Sequence, residues 1–509
     1  VCGRVRRIAC QLVTDDPEAS ADPDRARVRS HEAAEQGLFS RTYASTTAGF
    51  AAVMFLTGLA ALAVVPTLPT AARDLDGVSL YPLVAGCFVA ASLLGGVLGG
   101  HWADRAGAHR PLAAGLVLAV VTLLVSGASV SVWQLAAGRF LDGLAGGMVA
   151  VSINTAIGQA YPDQLRPRVL ALMSACWIVP SLVGPPLAGL VAEWWSWRVV
   201  FLGLAALTLL PALVVLTMLR SSPWSPTTAP EATVPEATVP EATAPSDGPT
   251  DTPPRRPVLA VAAAVSLGAA LGQYGVSGWD VRHLLFTAGG LALLVTCAPR
   301  LLPPGTRHAA RGLPATVLLC GMGSGVFFTL EAFVPLLLVT DRDVPPVAIG
   351  LVFTGAAVAW AASSWVQSRL LDGRPRHHLV VAGAVVLAVA VVIAGIGTLP
   401  ATPAATAASS MVVAAVGMGL LAPSLTVLSL RHSLPGRQGY ASSAMQTTQN
   451  LGQTTVLGAA SALFNACLGV GSSQATGYAA AFGLLLVPCV AATLLAARAR
   501  ATRPSRLPG

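Results

Sequence analysis

The chain has no lysine: all 31 of its basic residues are arginine. That absence removes the phosphate-binding loop Gly-x-x-x-x-Gly-Lys-Ser/Thr from consideration. Charge is scarce throughout, at 11% of 509 residues, and aromatics make up only 6%. The eight cysteines, at positions 2, 10, 87, 176, 297, 320, 467 and 489, form no Cys-x-x-Cys pair. Most lie inside apolar runs, where cysteine acts as a small hydrophobe. There is no His-Glu-x-x-His and no other metal-ligand spacing, so neither an enzyme nor a metal or cofactor site is expected. The pair His377-His378 sits in an arginine-rich loop and reads as solvated.

Apolar sequence dominates instead. Hydrophobic residues reach 54% and the mean hydropathy is +0.68, beyond what a soluble domain needs. Runs of about 20 apolar residues recur along nearly the whole chain, each long enough to cross a hydrocarbon core of roughly 30 Å as a helix. Open sheets would leave backbone groups unpaired in lipid, so the runs are expected to be helices.

Fourteen candidate spans follow, at roughly 46–70, 81–102, 111–131, 134–158, 168–191, 198–219, 257–276, 283–301, 314–339, 347–369, 379–398, 407–430, 440–464 and 477–497. An even count puts both termini on one face. With that face cytoplasmic, 26 arginines lie inside and four (Arg73, Arg198, Arg282 and Arg342) lie at the outer ends, while Arg139 falls within a span. The bias matches the positive-inside rule. Removing one span would invert every later loop and destroy it; removing a pair, of which the seventh and eighth are the weakest, would not. The net charge of +8 therefore reflects topology rather than nucleic-acid binding.

The expected organisation is a disordered cytoplasmic tail (1–41), a six-helix bundle (42–220), a linker (221–256), two further helices (257–312), a second six-helix bundle (313–498) and a short tail (499–509). The linker carries Pro230-Glu-Ala-Thr-Val twice in succession and then Pro240-Glu-Ala-Thr-Ala, a period-five run that cannot bury a core. The tail at 1–41 has no apolar core and is no cleavable signal peptide. A weak internal repeat relates the halves: Ser364-Trp-Val-Gln-Ser368-Arg369 leaves span ten as Gly100-His-Trp-Ala-Asp104-Arg105 leaves span two. Paired halves with a substrate site between them near the midplane are a common transporter plan.

Ionisable groups inside a membrane are costly and need a reason. Arg139 and Asp142 in span four are three residues apart, on one helical face, and can pair. Protonating Asp142 would release Arg139; a static pair that fixes packing is the alternative. Glu331 in span nine, within Phe327-Phe328-Thr-Leu-Glu331-Ala-Phe333, could exchange a proton or attract a cationic substrate, or could be a carboxyl hydrogen-bonded at the outer interface. Gln446, Gln449, Asn450 and Gln453 form a polar stripe in span thirteen, suited equally to lining a cavity or to joining helices. Asn154 and Gln159 are weaker candidates of that kind.

Three motifs carry a family resemblance. Gly100, Asp104, Arg105, Gly107 and Arg110 have the spacing Gly-x-x-x-Asp-Arg-x-Gly-x-x-Arg, in a short loop between two spans. Gly184-Pro185-Pro186-Leu-Ala188-Gly189 in span five is similar to the antiporter signature Gly-Pro-x-x-Gly-Gly, with Ala188 replacing a glycine. Arg139 followed by Asp142-Gly143 completes the set, with Trp197-Arg198 opening span six. Over residues 46–497 the chain resembles the major facilitator superfamily, and by its fourteen spans the drug–proton antiporter group. It departs from that group in placing Ala60 where span one usually carries an acid, and Asp142 where glutamine is commoner.

The resemblance implies an all-α polytopic fold of two six-helix bundles with two extra central helices, and a monomer in the cytoplasmic membrane. It implies proton-coupled export of small amphipathic molecules, such as drugs or antibiotics, by alternating access. Arg139, Asp142 and Glu331 would couple protons. The 100–110 loop would gate the cytoplasmic side, and Gly184, Pro185 and Gly189 would form the antiporter element. An importer or facilitator of a small metabolite, or a non-transporting sensor, remains open on the same fold.

Overall fold

The computed structural model describes residues 40, 43–161, 165–221, 258–371, 374–433 and 438–500. The expected tail at 1–41 lies, but for Ser40, outside the described residues, and so does nearly all of the linker at 221–256 and the end of the chain beyond Arg500. Among the described residues the chain is helical with no strand. The first half contains α1 (Ala44–Val64), α2 (Leu68–Asp74), α3 (Tyr81–Ala106), α4 (His109–Gly127), α5 (Val132–Ala160), α6 (Arg166–Ala175), α7 (Ile178–Trp194) and α8 (Trp197–Ser221). A hairpin follows, α9 (Val258–Gly275) and α10 (Val281–Cys297). The second half contains α11 (Leu313–Thr340), α12 (Pro346–Leu370), α13 (Arg376–Ile396), α14 (Ala404–Arg431), α15 (Gln438–Gly469) and α16 (Gln474–Leu495).

Eleven of the described helical segments are long and apolar enough to cross a membrane, and three shorter apolar helices occupy Ile178–Trp194, Trp197–Leu209 and Leu259–Gly275. Together they fall where the fourteen expected spans fall. The chain is a multi-pass membrane protein.

Two expected spans are interrupted, and proline accounts for both. Pro66 and Pro69 fall where α1 passes through a 3-10 turn, Val65–Thr67, into α2. The expected span at 168–191 is broken between α6 and α7, at Cys176 and Trp177. Pro180 has no N–H to offer the Cys176 carbonyl, so the helical ladder lapses there. Trp177 instead lies against Gly58 of α1, where a Cβ would come within 3.2 Å of the indole.

The packing makes the internal repeat visible. In the first half α3 packs on α5, α4 on α5 and α8, and α1 on α7 and α8. In the second half α12 packs on α14, α13 on α14 and α16, and α11 on α15 and α16. Helix for helix this is one arrangement repeated, the second copy following the hairpin. The halves meet along two seams, α7 with α12 and α3 with α15, and these seams exchange under the same repeat.

Small residues set how closely helices approach where lipid offers no hydrophobic drive for association. A Cβ at Gly99 would come within 2.9 Å of the Met148 backbone. At the α7–α12 seam, a Cβ on either Gly189 or Gly350 would run into the other helix's main chain, at Pro346 and Pro185 respectively.

Candidate functional site

Arg139 and Asp142 lie on α5 and form an ion pair, Nη1 to Oδ2 at 2.5 Å. Their side chains are 3% and 12% exposed, so the pair is shielded from solvent. The ring of Phe88 on α3 covers the Arg139 guanidinium, 4.5 Å from Cζ to the centroid, a cation–π contact that offsets part of the burial. The ring is held there because Gly143 lets α5 close directly onto the Phe88 main chain. Arg139 Nε is buried and has no hydrogen-bond partner among the described residues.

Glu331 sits on α11, the most enclosed of the described spans. It is half-buried and makes no ion pair or hydrogen bond among the described residues. Phe327 and Phe328, four and three residues before it, share its face and are half-buried too. Trp360 of α12 meets Phe327 edge-on, with centroids 5.2 Å apart. Tyr81, at the start of α3, links this face to the ion pair. Its hydroxyl donates to the Ala332 carbonyl at 3.0 Å, and the ring lies within electrostatic reach of both Glu331 and Arg139.

The polar stripe of α15 divides. Asn450 is buried, accepts from Gln446 Nε2 at 3.2 Å, and donates through Nδ2 to Ser92 Oγ of α3 at 3.4 Å. That side chain joins the two halves. Gln449 and Gln453 are half-buried, and Gln446 is exposed apart from its bond to Asn450. Asn154 is exposed, and the side chain of Gln159 lies outside the described residues.

The two ends of the molecule differ. At the arginine-poor end the halves are tied together. Arg73 Nη1 donates to the Val339 carbonyl at 3.0 Å and to Asp343 Oδ1 at 3.3 Å. Glu193 Oε2 accepts from the Val347 amide at 3.4 Å, and two turns further along α12 Thr354 Oγ1 donates to the Leu182 carbonyl at 2.8 Å. At the arginine-rich end, Gly107 takes φ +79°, a left-handed conformation that lets α3 turn into α4 within two residues. Asp104, Arg105 and Arg110 are exposed there, with no ion pair among the described residues, and Gly100 is half-buried. In span five, Gly184 faces Leu59 of α1, while Pro185 and Gly189 face α12.

Sequence reasoning missed Phe88, Tyr81, Ser92 and Arg73. Phe88 and Ser92 lie in a continuous apolar run that gives no sign of what they touch.

Two helical bundles related by an internal repeat, with a buried ion pair and a carboxylate near the seams, define the architecture of a membrane transporter rather than an enzyme. The sequence profile of the Major Facilitator Superfamily matches residues 50–457, and the chain belongs to that family. It is 27% identical over 454 residues to a probable multidrug-efflux transporter of Mycobacterium tuberculosis, covering 87% of this chain and 91% of the relative. A shorter match, 29% over 175 residues, is to multidrug resistance protein 1 of Bacillus subtilis, covering 34% and 44%. Among solved structures, a POT family transporter in complex with 5-aminolevulinic acid aligns with a TM-score of 0.66 at 13% identity, over 91% of this chain and 98% of that one. A D-xylose–proton symporter aligns with a TM-score of 0.57 at 15% identity, over 89% and 96%. Both share the fold.

Proposed function

We propose that the chain is a proton-coupled antiporter that exports small amphipathic molecules from the cytoplasm by alternating access. The observation that carries this reading is the pairing of Arg139 with Asp142 and a Glu331 with no partner among the described residues, with Tyr81 in reach of both Arg139 and Glu331. A proton arriving at Asp142 cancels the attraction that holds Arg139, and the cost of burying Arg139 then favours rearrangement. Glu331, backed by Phe327 and Trp360, offers an uncompensated negative charge beside aromatic rings, a setting suited to an amphipathic cation. The names carried by the mycobacterial and Bacillus relatives support efflux rather than uptake.

The chain sits in the cytoplasmic membrane with its arginine-rich end inside. The described state is then closed outside and open inside. Substrate enters from the cytoplasm or the inner leaflet, the halves rock, and Asp104, Arg105 and Arg110 find partners as the inner end closes. Gly184, Pro185 and Gly189 keep α7 bent and in close contact with α12 through that motion. Gln449 and Gln453 line the path, and Gln446 with Asn450 holds the seam. The protein works as a monomer.

The test is reciprocity in proteoliposomes. With no imposed gradient, a cationic dye added on one side should drive protons the other way, reported by a trapped pH indicator. Dye flux with no proton movement would refute antiport.

A further inference from the structure

The hairpin α9–α10 lies outside both repeats, and its packing is lopsided. α9 runs along α3 of the first half. Val265 packs with Leu93, a cluster that Leu451 of α15 also reaches. Further along, Gln273 lies so close to Gly86 that a Cβ there would come within 2.9 Å of its amide carbon. Near the start of α5, Trp133 meets Tyr274 edge-on, with centroids 5.4 Å apart. These contacts with the first half are mostly apolar and spread along the helix.

Contacts with the second half are fewer: besides Leu451 in that cluster and Trp279 against Gly469, they are hydrogen bonds to α15 made from the last turn of α9 and the residue after it. Gln273 is 2% exposed, and its Nε2 donates to the Thr454 carbonyl of α15 at 2.8 Å. Asn465 of α15 donates through Nδ2 to the Val276 carbonyl at 2.8 Å, where α9 ends. Both bonds run from an amide to a main-chain carbonyl across the α3–α15 side of the molecule. Gln273 Oε1 is buried without a partner among the described residues. Buried polar groups are normally satisfied, so the closed arrangement leaves one acceptor that water would satisfy once the end opened.

We propose that the α9–α10 hairpin is a latch carried by the first half, which fastens the arginine-poor end shut through two bonds to α15, from Gln273 to the Thr454 carbonyl and from Asn465 of α15 to the Val276 carbonyl. On opening, the hairpin stays with α3 while the bonds to Thr454 and Val276 break. Two neutral hydrogen bonds hold the end closed firmly enough to bias it, and weakly enough to release it within a transport cycle. The orphan oxygen of Gln273 tempers the closed state further. The inference rests on the alternating-access reading, but its test needs no substrate, so a failure of dye transport and a failure of the latch are separate results.

The test is pulsed electron-electron distance measurement on the full chain in nanodiscs. Spin labels on a genetically encoded keto amino acid leave the native cysteines in place. Asp280 marks the hairpin, Val130 the first half and Val470 the second; all three are exposed. Gly189→Trp, or Gly350→Trp if the first does not fold, wedges the α7–α12 seam apart. The wedge should lengthen Asp280–Val470 and leave Asp280–Val130 unchanged. Without a wedge, Gln273→Leu with Asn465→Leu should raise the long-to-short ratio of Asp280–Val470 roughly tenfold, as expected for losing two neutral hydrogen bonds. Lengthening of Asp280–Val130 instead would place the hairpin with the second half and overturn the proposal. So would an unchanged Asp280–Val470 distribution in the double variant, or an end that stays closed against both wedges.

Discussion

Arg139 and Asp142 meet one helical turn apart on α5, at 2.5 Å, with the guanidinium face closed by Phe88. Each charge is tolerable in the bundle because the other is there. Removing one leaves its partner buried and uncompensated, whereas removing both leaves an apolar site.

Asp142→Ala should therefore destabilise the protein by about 3–5 kcal/mol, and Arg139→Leu combined with Asp142→Leu should recover most of that loss. Thermal unfolding in detergent, followed by intrinsic fluorescence, checks this. Equal destabilisation by the single and double variants would mean that the pair is not energetically coupled. Neither variant should retain proton-coupled transport.

A second prediction concerns the α7–α12 seam. Gly189→Val should push Pro346 away and loosen the arginine-poor end without unfolding the bundle. In a cysteine-free background, cysteines at Arg73 and Asp343, whose native side chains meet tip to tip at 3.3 Å, should be bridged readily by a bifunctional maleimide that replaces the arginine's reach. The same pair should cross-link several-fold less in the Gly189→Val variant. The Arg73–Asp343 pair is itself exposed and contributes at most about 1 kcal/mol, so it reports closure without causing it.

Asp104 supplies a third. It is exposed and unpaired among the described residues, and on the proposed cycle it gains partners when the arginine-rich end closes. Asp104→Asn should impair transport while purified protein still binds a cationic dye with nearly the parent affinity. Parallel loss of binding and transport would contradict a gating role.

The apolar runs made the helices legible because lipid leaves no other backbone solution, and the arginine distribution ordered them. The pairing of Arg139 with Asp142 was legible because it is local, three residues apart on one helix. Other relationships depend on what a second helix brings. Phe88 over Arg139, Tyr81 on the Ala332 carbonyl and Gln273 between two halves join residues far apart in sequence, and nothing in their neighbours' composition marks them. The stripe at 446–453 lay between these cases. Its polar character was plain, but that Asn450 turns to Ser92 while Gln453 does not is settled by the close approach of α3. The proline at 180 was visible as a bend, yet the full break at Trp177 needed Gly58 on the facing helix to receive the indole.

The most direct test of the central claim is uptake of a fluorescent cationic dye into inside-out vesicles under an imposed proton gradient. Wild-type protein would be compared with Asp142→Asn and Glu331→Gln. Proton-coupled export predicts gradient-driven accumulation by the wild type that collapses with a protonophore and is lost in both variants. Accumulation that survives in both variants, or that ignores the gradient in the wild type, would contradict it.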